Sequence, residues 1–327
     1  MKAFVYEQGS WKLKEVPDPE PGPGEVVVAL RTAGLNRRDL YIPARRGPGK
    51  EAVTIGSDGA GVVEVAGKGA GDWKPGDEVI INPALRWYDN SAAPPADFDI
   101  LGMPDDGTLA EKIVISAEQL EQKPAHLSWE EAGVLALAAM TGYRALVTRG
   151  RVERGQTVFI PGAGSGVATY LIQFAKALGA RVIVTSRSDE KQRRALELGA
   201  DRAIGTEEDW NEALRDETVD LVIDSVGEAT FNRSLGVLKK GGRFVTFGAT
   251  TDDRVDFDLR AFFYGQYDLL GSTMGSREEL RDLLRLVDEH RIHPVVDSVY
   301  PLDQVEEAME LLEKSTQFGK IAIRVNE

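Results

Sequence analysis

The chain has 327 residues, which exceeds one average domain and favours two. Its formal net charge of -14, with no block of Lys and Arg, argues against nucleic acid as a partner. It contains no cysteine and three histidines, so disulfides and thiolate metal ligands are excluded. The longest apolar run, AGVLALAAM, is too short to cross a bilayer, and we expect a soluble, cytoplasmic protein.

The first part of the chain, to about residue 125, consists of short β-branched runs separated by Gly and Pro. These runs include MKAFVYE, EVVVALR, GAGVVEVAG, DEVIINP and TLAEKIVIS. The pattern predicts a β-rich, barrel-like domain. An irregular stretch, residues 84–106, interrupts it; its Trp87, Tyr88 and Phe98 could form a lid, a subunit contact or local packing.

From about residue 127 the sequence alternates between apolar strands and amphipathic helices. TVFIPGAG leads into SGVATYLIQFAKALGA, RVIVTS into SDEKQRRALELGA, and VDLVIDSVG into EATFNRSLGVLKKGG. This alternation predicts a doubly wound parallel sheet with helices on both faces. The elements after residue 273 are more than that sheet needs, and we expect them to return to the first domain.

A Gly-rich turn lies between the first of these strands and its helix. It places Gly164, Ser165, Gly166 and Val167 where backbone N–H groups and the helix N-terminus would hold a pyrophosphate. The G-x-G-x-x-G pattern read from Gly162 is incomplete, because Val167 stands at the last glycine. The strand, turn and helix context nevertheless predicts a dinucleotide site.

The end of the second strand predicts which dinucleotide binds. An NAD enzyme has Asp or Glu there, whereas this chain has Ser186, followed by Arg187 and, one helical turn later, Lys191. A hydroxyl and two cations would hold a 2'-phosphate that a carboxylate would repel. We therefore expect NADPH. The alternative, that Arg187 and Lys191 are solvated charges of a helix face, leaves the missing acid unexplained.

Several motifs in this order resemble the medium-chain dehydrogenase/reductase superfamily over essentially the whole chain. They are GLNRRDLY, GSDGAGVVEVAGKG, KPGDEVI, DGTLAEKIVI, EEAGVLALAAMTGYRAL, the Gly-rich turn and the closing GKIAI. The resemblance implies an α/β protein with a chaperonin-like (GroES-like) β-barrel domain, residues 1–126 and 274–327, and a Rossmann domain, residues 127–273. It also implies hydride transfer at a nicotinamide and assembly into homodimers or homotetramers.

The zinc enzymes of this superfamily carry a metal-binding Cys and a metal-binding His at two places that this chain fills otherwise. Asn36 stands at the Cys and Ser57 at the His. Residues 84–106 match the place of the four-Cys structural zinc lobe and have no cysteine. We expect no zinc of either kind, because thiolate and imidazole are the ligands that catalytic zinc takes.

Asn36, Asp39 and Tyr41 match the N-x-x-D-x-Y pattern of the zinc-free quinone oxidoreductase branch. The resemblance implies that Asn36 lies near the nicotinamide ribose and that Tyr41 lines the substrate pocket. Asp39 has two open roles, capping the helix that begins here or catalysis. Arg37 and Arg38 are expected to face solvent or another subunit. Cofactor contacts carried over in the same way are Thr141, Gly166, Val167, Asp224, Val226, Gly227, Phe247, Gly248 and Lys320.

These assignments predict a zinc-independent, NADPH-dependent reductase of quinones or α,β-unsaturated carbonyls. Such substrates spread the charge that develops after hydride addition, so they need less help than a saturated ketone. Either Tyr41 or solvent supplies the proton. Two other readings stay open: a metal-free alcohol dehydrogenase or aldehyde reductase, and an NADPH-binding protein without turnover. The sequence does not specify the natural substrate.

Overall fold

A computed structural model describes residues 1–46 and 51–326 of the chain. The chain divides into two compact units. Unit 1 is formed by Met1–Met140 with Gly275–Glu327, and unit 2 by Thr141–Met274. Among the described residues, no helix combines the length and apolarity needed to cross a bilayer.

Short strands dominate the first part of unit 1. In chain order these are β1 (Lys2–Glu7), β2 (Ser10–Glu15), β3 (Glu25–Gly34), β4 (Val53–Thr54), β5 (Asp58–Ala66), β6 (Glu78–Ile81), β7 (Ala84–Leu85), β8 (Asp99–Ile100), β9 (Lys112–Ser116) and β10 (Leu120–Gln122). The helices are a 3-10 turn (Arg37–Tyr41), α1 (Ile42–Arg46), a second 3-10 turn (Ala117–Gln119), α2 (Trp129–Gly133) and α3 (Ala136–Tyr143). The β-rich domain predicted for this part of the chain is therefore observed.

Unit 2 begins within α3 and alternates strands with helices. Its elements are a π-helical segment (Arg144–Arg149), β11 (Thr157–Ile160), α4 (Gly166–Ala177), β12 (Arg181–Ser186), α5 (Asp189–Glu197), β13 (Arg202–Gly205), α6 (Trp210–Ala213), β14 (Val219–Asp224), α7 (Glu228–Val237), β15 (Leu238–Thr246), α8 (Leu259–Gly265) and β16 (Asp268–Gly271). The strands form one parallel sheet in the order β13-β12-β11-β14-β15-β16. This is the order of a Rossmann fold, with the strand order reversing at β11.

The last elements of the chain belong to unit 1. They are α9 (Arg277–Glu289), β17 (Val296–Pro301), a 3-10 turn (Leu302–Gln304), α10 (Val305–Lys314) and β18 (Lys320–Arg324). β18 pairs antiparallel with β3, placing Ala322 opposite Gly34. The main sheet of the unit therefore runs β10-β6-β5-β3-β18-β17, with β9 also on β3. The pairing of β18 with β3 thus joins the C-terminal part of the chain to its N-terminal part.

The division between the units differs from the sequence expectation at one end. Unit 1 continues to Met140 and resumes at Gly275, whereas the sequence expectation divides the chain at 126/127 and at 273/274. The reason is that α2 and the start of α3 pack on the unit 1 sheet. The N–H of Leu137 donates to Oδ1 of Asp58 at 2.6 Å, and a Cβ on Gly133 would lie 2.6 Å from the Thr32 side chain.

Candidate functional site

The Gly-rich turn of unit 2 joins β11 to α4 in the geometry expected of a phosphate cradle. Gly162 has φ +79°, a conformation that glycine adopts without strain, and its N–H donates to Oγ1 of Thr185 at 3.2 Å. Ser165 is the N-cap of α4 and accepts the Ala168 N–H at 3.1 Å. Gly166 is the first helical residue, with Val167 following, so the N-terminus of α4 begins at the turn.

Lys191 lies over this turn, although it belongs to α5. A Cβ added to Gly164 would be 2.8 Å from Cδ of Lys191 and 3.0 Å from its Nζ. Ser186 ends β12 and is buried, with its Oγ accepting the Ser188 N–H at 3.1 Å. Arg187 follows and is exposed. The structure thus places a hydroxyl and two cations at the end of β12, and one of the cations reaches the Gly-rich turn.

Asp224 ends β14 and is buried, with both of its carboxylate oxygens used inside unit 2. Oδ1 accepts the N–H groups of Val226 and Gly227 at 2.7 and 3.0 Å, and Oδ2 accepts the Thr230 hydroxyl at 2.5 Å. Burial raises the pKa of this carboxyl in spite of these hydrogen bonds, which lower it. Asp224 therefore shapes the turn that leads into α7, and its predicted contact with the cofactor stays a prediction.

The other predicted cofactor residues of unit 2 lie near the same strand ends. A Cβ on Gly162 would be 3.4 Å from Cγ2 of Val226, so these two turns are neighbours. Phe247 and Gly248 follow β15, and the Phe247 N–H donates to the Asp224 carbonyl at 3.1 Å. Thr141 is buried, and at the next residue, Gly142, a Cβ would lie 3.4 Å from Cγ1 of Val167. The structure therefore brings most of the predicted set together at one edge of the sheet.

In unit 1, Asn36, Asp58 and Lys320 form a buried hydrogen-bonded cluster. The Lys320 ammonium donates to Oδ1 of Asn36 at 2.5 Å, to the Leu35 carbonyl at 2.8 Å and to Oδ2 of Asp58 at 3.1 Å. Nδ2 of Asn36 donates to the same Asp58 oxygen at 2.9 Å. Three acceptors match the three N–H groups of an ammonium. The expectation that Lys320 contacts cofactor phosphates stays a prediction.

Backbone geometry explains why Lys320 can reach Asn36 from the far end of the chain. Gly319 has φ +107°, and a Cβ there would lie 2.4 Å from the Val295 carbonyl. The Lys320 N–H donates to that same carbonyl at 2.9 Å. Glycine is therefore required immediately before the lysine. β18 begins at Lys320 and runs beside β3, whose last residue is two positions before Asn36.

Arg38 is partly buried and its guanidinium makes hydrogen bonds within unit 1, while the expectation that it faces solvent or another subunit stays a prediction. Nη1 of its guanidinium donates to Oγ of Ser57 at 2.6 Å and to the Leu101 carbonyl at 2.8 Å. Burial lowers the pKa of the Arg38 guanidinium. Arg37 is also partly buried and donates to the Ser315 hydroxyl at 2.7 Å. Both places where the zinc enzymes have a ligand thus hold a neutral side chain that accepts from a cation.

Asp39 has the capping role, because its Oδ2 accepts the backbone N–H of Asn36 at 2.8 Å. The residue is fully buried, and its Oδ1 has no hydrogen-bond partner among the described residues. Burial raises the pKa of the Asp39 carboxyl to about 6, against the opposing effect of Arg38 and Lys320. Tyr41, at the end of the same 3-10 turn, is 42% exposed. Its predicted contact with substrate stays a prediction.

The irregular stretch 84–106 is ordered by local packing. The Trp87 side chain is buried, packs edge-on against Phe98 at 5.2 Å and donates from Nε1 to Ser91. The carbonyls of Trp87 and Tyr88 accept the first N–H groups of α9, at 2.8 and 3.1 Å. Arg86 forms an ion pair with Asp99. Aromatic packing, an ion pair and helix capping thus hold residues 84–106, the segment expected at the place of the structural zinc lobe.

The donor set at Asn36 and Ser57 does not fit a catalytic zinc ion. An amide and a hydroxyl replace thiolate and imidazole, and the ammonium of Lys320 makes a direct hydrogen bond to the amide oxygen. Across residues 1–46 and 51–326, no three or more His, Asp and Glu side chains are arranged as a metal site. The Gly-rich turn, in contrast, fits a dinucleotide pyrophosphate, since α4 begins at Gly166 directly after the turn and its N-terminus favours an anion.

Comparison with known proteins places the chain in a family. Residues 22–125 match the alcohol dehydrogenase GroES-like domain, and residues 166–289 match the family described as zinc-binding dehydrogenase. The chain belongs to the medium-chain dehydrogenase/reductase superfamily, as the sequence motifs indicated. The fold, a GroES-like domain with a Rossmann-like parallel sheet, is confirmed as well.

Individual relatives differ in what their names describe. A zinc-type alcohol dehydrogenase-like protein of Schizosaccharomyces pombe is 34% identical over 95% of this chain and 94% of its own. The crystal structure of an NAD-dependent alcohol dehydrogenase has a TM-score of 0.92 and 35% identity, with both chains covered completely. A 2-octenoyl-CoA carboxylase reductase, in complex with NADP and 2-octenoyl-CoA, has a TM-score of 0.87 and 29% identity over 99% of this chain and 87% of its own.

Sequence reasoning missed Asp58 and the role of Arg38. Asp58 is completely buried in an apolar segment, GSDGAGVVEV, and a buried carboxylate needs partners. That signal could have marked it as a member of a polar cluster. No local pattern distinguishes Arg38 from Arg37, because the hydrogen bonds of the Arg38 guanidinium depend on the position of Ser57 and the segment around Leu101.

Proposed function

We propose that the chain is a zinc-independent, NADPH-dependent oxidoreductase that reduces α,β-unsaturated carbonyls or quinones by hydride transfer. Its membership in an NAD(P)-dependent oxidoreductase superfamily is established by the comparisons above. One observation carries the finer proposal: Asn36 and Ser57 accept hydrogen bonds from Lys320 and Arg38 at the two places where zinc enzymes have ligands. A chain whose side chains at these two positions already accept from cations works without a metal Lewis acid.

Three features support NADPH as the cofactor. The end of β12 carries Ser186 without an acidic residue, Arg187 is exposed beside it, and the Lys191 side chain reaches the Gly-rich turn. Two cations near a hydroxyl suit a 2'-phosphate. The similar 2-octenoyl-CoA carboxylase reductase holds NADP, which supports the same choice, whereas the similar alcohol dehydrogenase is described as NAD-dependent. Bound NADPH supplies the hydride.

The proposed substrate class follows from the zinc-independent mechanism. Without a metal Lewis acid, the substrate itself has to spread the negative charge that develops after hydride addition. Hydride added to the β-carbon of an enone leaves the negative charge on an enolate oxygen, which a few hydrogen bonds stabilise. The α-carbon then takes a proton from Tyr41 or solvent. Enoyl thioesters belong to this class, and the similar protein bound to 2-octenoyl-CoA favours them. Aldehydes are the second candidate, favoured by the similarity to alcohol dehydrogenases.

The experiment is a turnover assay of purified protein with NADPH and a panel of quinones, enones, enoyl-CoA esters and aldehydes. Loss of NADPH absorbance with enones, enoyl-CoA esters or quinones supports the proposal. Turnover of aldehydes alone would establish the second candidate. Tight NADPH binding without turnover of any panel member would indicate a non-enzymatic NADPH-binding protein.

A further inference from the structure

The hydrogen bonds of Asn36 leave only one orientation for its carboxamide. Lys320 can only donate and the Asp58 carboxylate can only accept, so Oδ1 must face the ammonium and Nδ2 must face Asp58. A flipped amide would set two donors together and two acceptors together. Asn36 is 7% exposed, so water does not compensate for such an exchange.

In this arrangement one N–H of the Asn36 carboxamide stays available to donate a hydrogen bond to another group. Its first N–H donates to Asp58 at 2.9 Å, and the only other contact of Nδ2 among the described residues is the Gly34 carbonyl at 3.5 Å. That second contact is at the outer limit of a hydrogen bond. The ammonium on Oδ1 draws electron density out of the amide and makes the remaining N–H a stronger donor.

The cluster also places a pair of opposite charges at a buried position. Lys320 is 4% exposed and Asp58 is completely buried. Removing one partner of such a pair leaves an uncompensated charge, whereas removing both does not.

We infer that Lys320 is a positioning residue of the reaction: it fixes and polarises the Asn36 carboxamide, whose available N–H donates to the substrate carbonyl oxygen as negative charge develops there. This inference rests on the proposed function. It assigns to Lys320 a role different from the phosphate contact that the family resemblance implies. Lys320 itself does not touch the substrate.

The test compares Lys320→Met with Lys320→Met/Asp58→Asn, in which both buried charges are removed together. Lys314→Met is the matched control, since Lys314 is exposed on α10 and pairs only with Glu310 among the described residues. We expect the single variant to have a lower Tm and the double variant to regain part of the loss. The double variant should lose about tenfold or more in kcat, while KM and Kd for NADPH change less than about twofold.

Asn36→Ala shows whether Lys320 acts through the amide. Adding Lys320→Met/Asp58→Asn to Asn36→Ala should lower kcat by less than about twofold further, because the two changes remove one interaction. Fully additive losses would overturn the inference. A tenfold weaker Kd for NADPH with kcat retained would also overturn it, and would make Lys320 a phosphate contact.

A readout without turnover separates this inference from the proposed function. The probe is 4-nitrophenolate, an oxyanion whose absorbance reports its hydrogen bonds, added to protein saturated with NADP. We expect it to bind the wild type and to bind Lys320→Met/Asp58→Asn about tenfold more weakly. Equal affinity, or no binding to the wild type, would overturn the inference. If phenolate binds but no panel substrate reacts, the proposed function alone has failed.

Discussion

The side chain of Lys191 lies so close to the α-carbon of Gly164 that a Cβ there would be 2.8 Å from Cδ of the lysine. Gly164→Ala should therefore displace the ammonium from the turn. Because the obstacle is a flexible side chain, we expect unfolding free energy to change by less than about 1 kcal/mol. NADPH affinity should fall severalfold, measured by calorimetry. Gly236→Ala, where the nearest atom is 3.7 Å away, is the control and should leave affinity unchanged.

Reversing one charge at the end of β12 should change the cofactor preference. Arg187 is exposed beside Ser186, so Arg187→Glu alters charge without disturbing the core. We expect the ratio of kcat/KM for NADPH to that for NADH to fall about tenfold or more, since a carboxylate repels the 2'-phosphate. Arg193→Glu, on the exposed side of α5, is the control. A wild type that prefers NADH would contradict the NADPH assignment.

Asp39 should make stability depend on pH. In the folded state the Asp39 carboxyl keeps its proton up to about pH 6, because its pKa is raised to about 6. An ordinary Asp carboxyl has a pKa of 3.8. The unfolded chain therefore binds fewer protons between these values, and the Asp39 contribution to the free energy of unfolding falls as pH rises from about 4 to about 6, then levels off. The difference between the two pKa values of Asp39 corresponds to roughly 3 kcal/mol in the free energy of unfolding.

Asp39→Asn removes this titration and keeps an oxygen that can accept the Asn36 N–H. Urea unfolding should show the variant gaining stability relative to the wild type as pH rises from about 4 to about 6. Asp303→Asn, at an exposed position, should show no such change. A difference between wild type and Asp39→Asn that is constant with pH would show that Asp39 is not the responsible group.

Metal analysis of active protein should find far less than one zinc per chain. The reason is that Asn36 and Ser57 accept hydrogen bonds from Lys320 and Arg38 and offer neither thiolate nor imidazole. We expect a strong chelator to leave kcat unchanged. Stoichiometric zinc that is lost together with activity, and restored with it, would refute the zinc-independent proposal.

An apolar surface on unit 2 is our candidate contact for the homodimer or homotetramer that the family resemblance implies. On α8, Leu259 and Tyr264 are 65% and 66% exposed, and Phe263 is 47% exposed. The next element in the chain, β16, pairs only with β15 among the described residues and is last in the strand order. Exposed apolar side chains beside a free sheet edge favour association.

Phe263→Asp/Tyr264→Asp should lower the molar mass measured by light scattering, with little change in the circular dichroism of the protein. Leu196→Asp, at an exposed position on α5, is the control and should keep the wild-type mass. A wild type that is monomeric at micromolar concentration would contradict the assembly, and an unchanged mass of the α8 variant would place the contact elsewhere.

Local sequence patterns were enough to predict the strands, helices and Gly-rich turn of unit 2. Strand, Gly-rich turn and capped helix are neighbours in the chain, so Ser165 caps α4 and Gly162 takes its turn conformation from interactions within a few residues and the adjacent strand. The alternating pattern of strands and helices likewise determined the parallel sheet, because periodicity reflects which face is buried. The family motifs located Asn36 and Ser57 at the zinc-ligand places.

Only the tertiary structure decided what those two residues contact. Lys320 is 284 positions from Asn36, and their hydrogen bond exists because β18 pairs with β3 in one register. Asp58 joins them from β5, and the Arg38 guanidinium is held inside unit 1 because Ser57 and Leu101 lie within its reach. The sequence carries residue types and local spacing, but the burial of a charge and the choice of its partner depend on strands that meet only when the chain has folded.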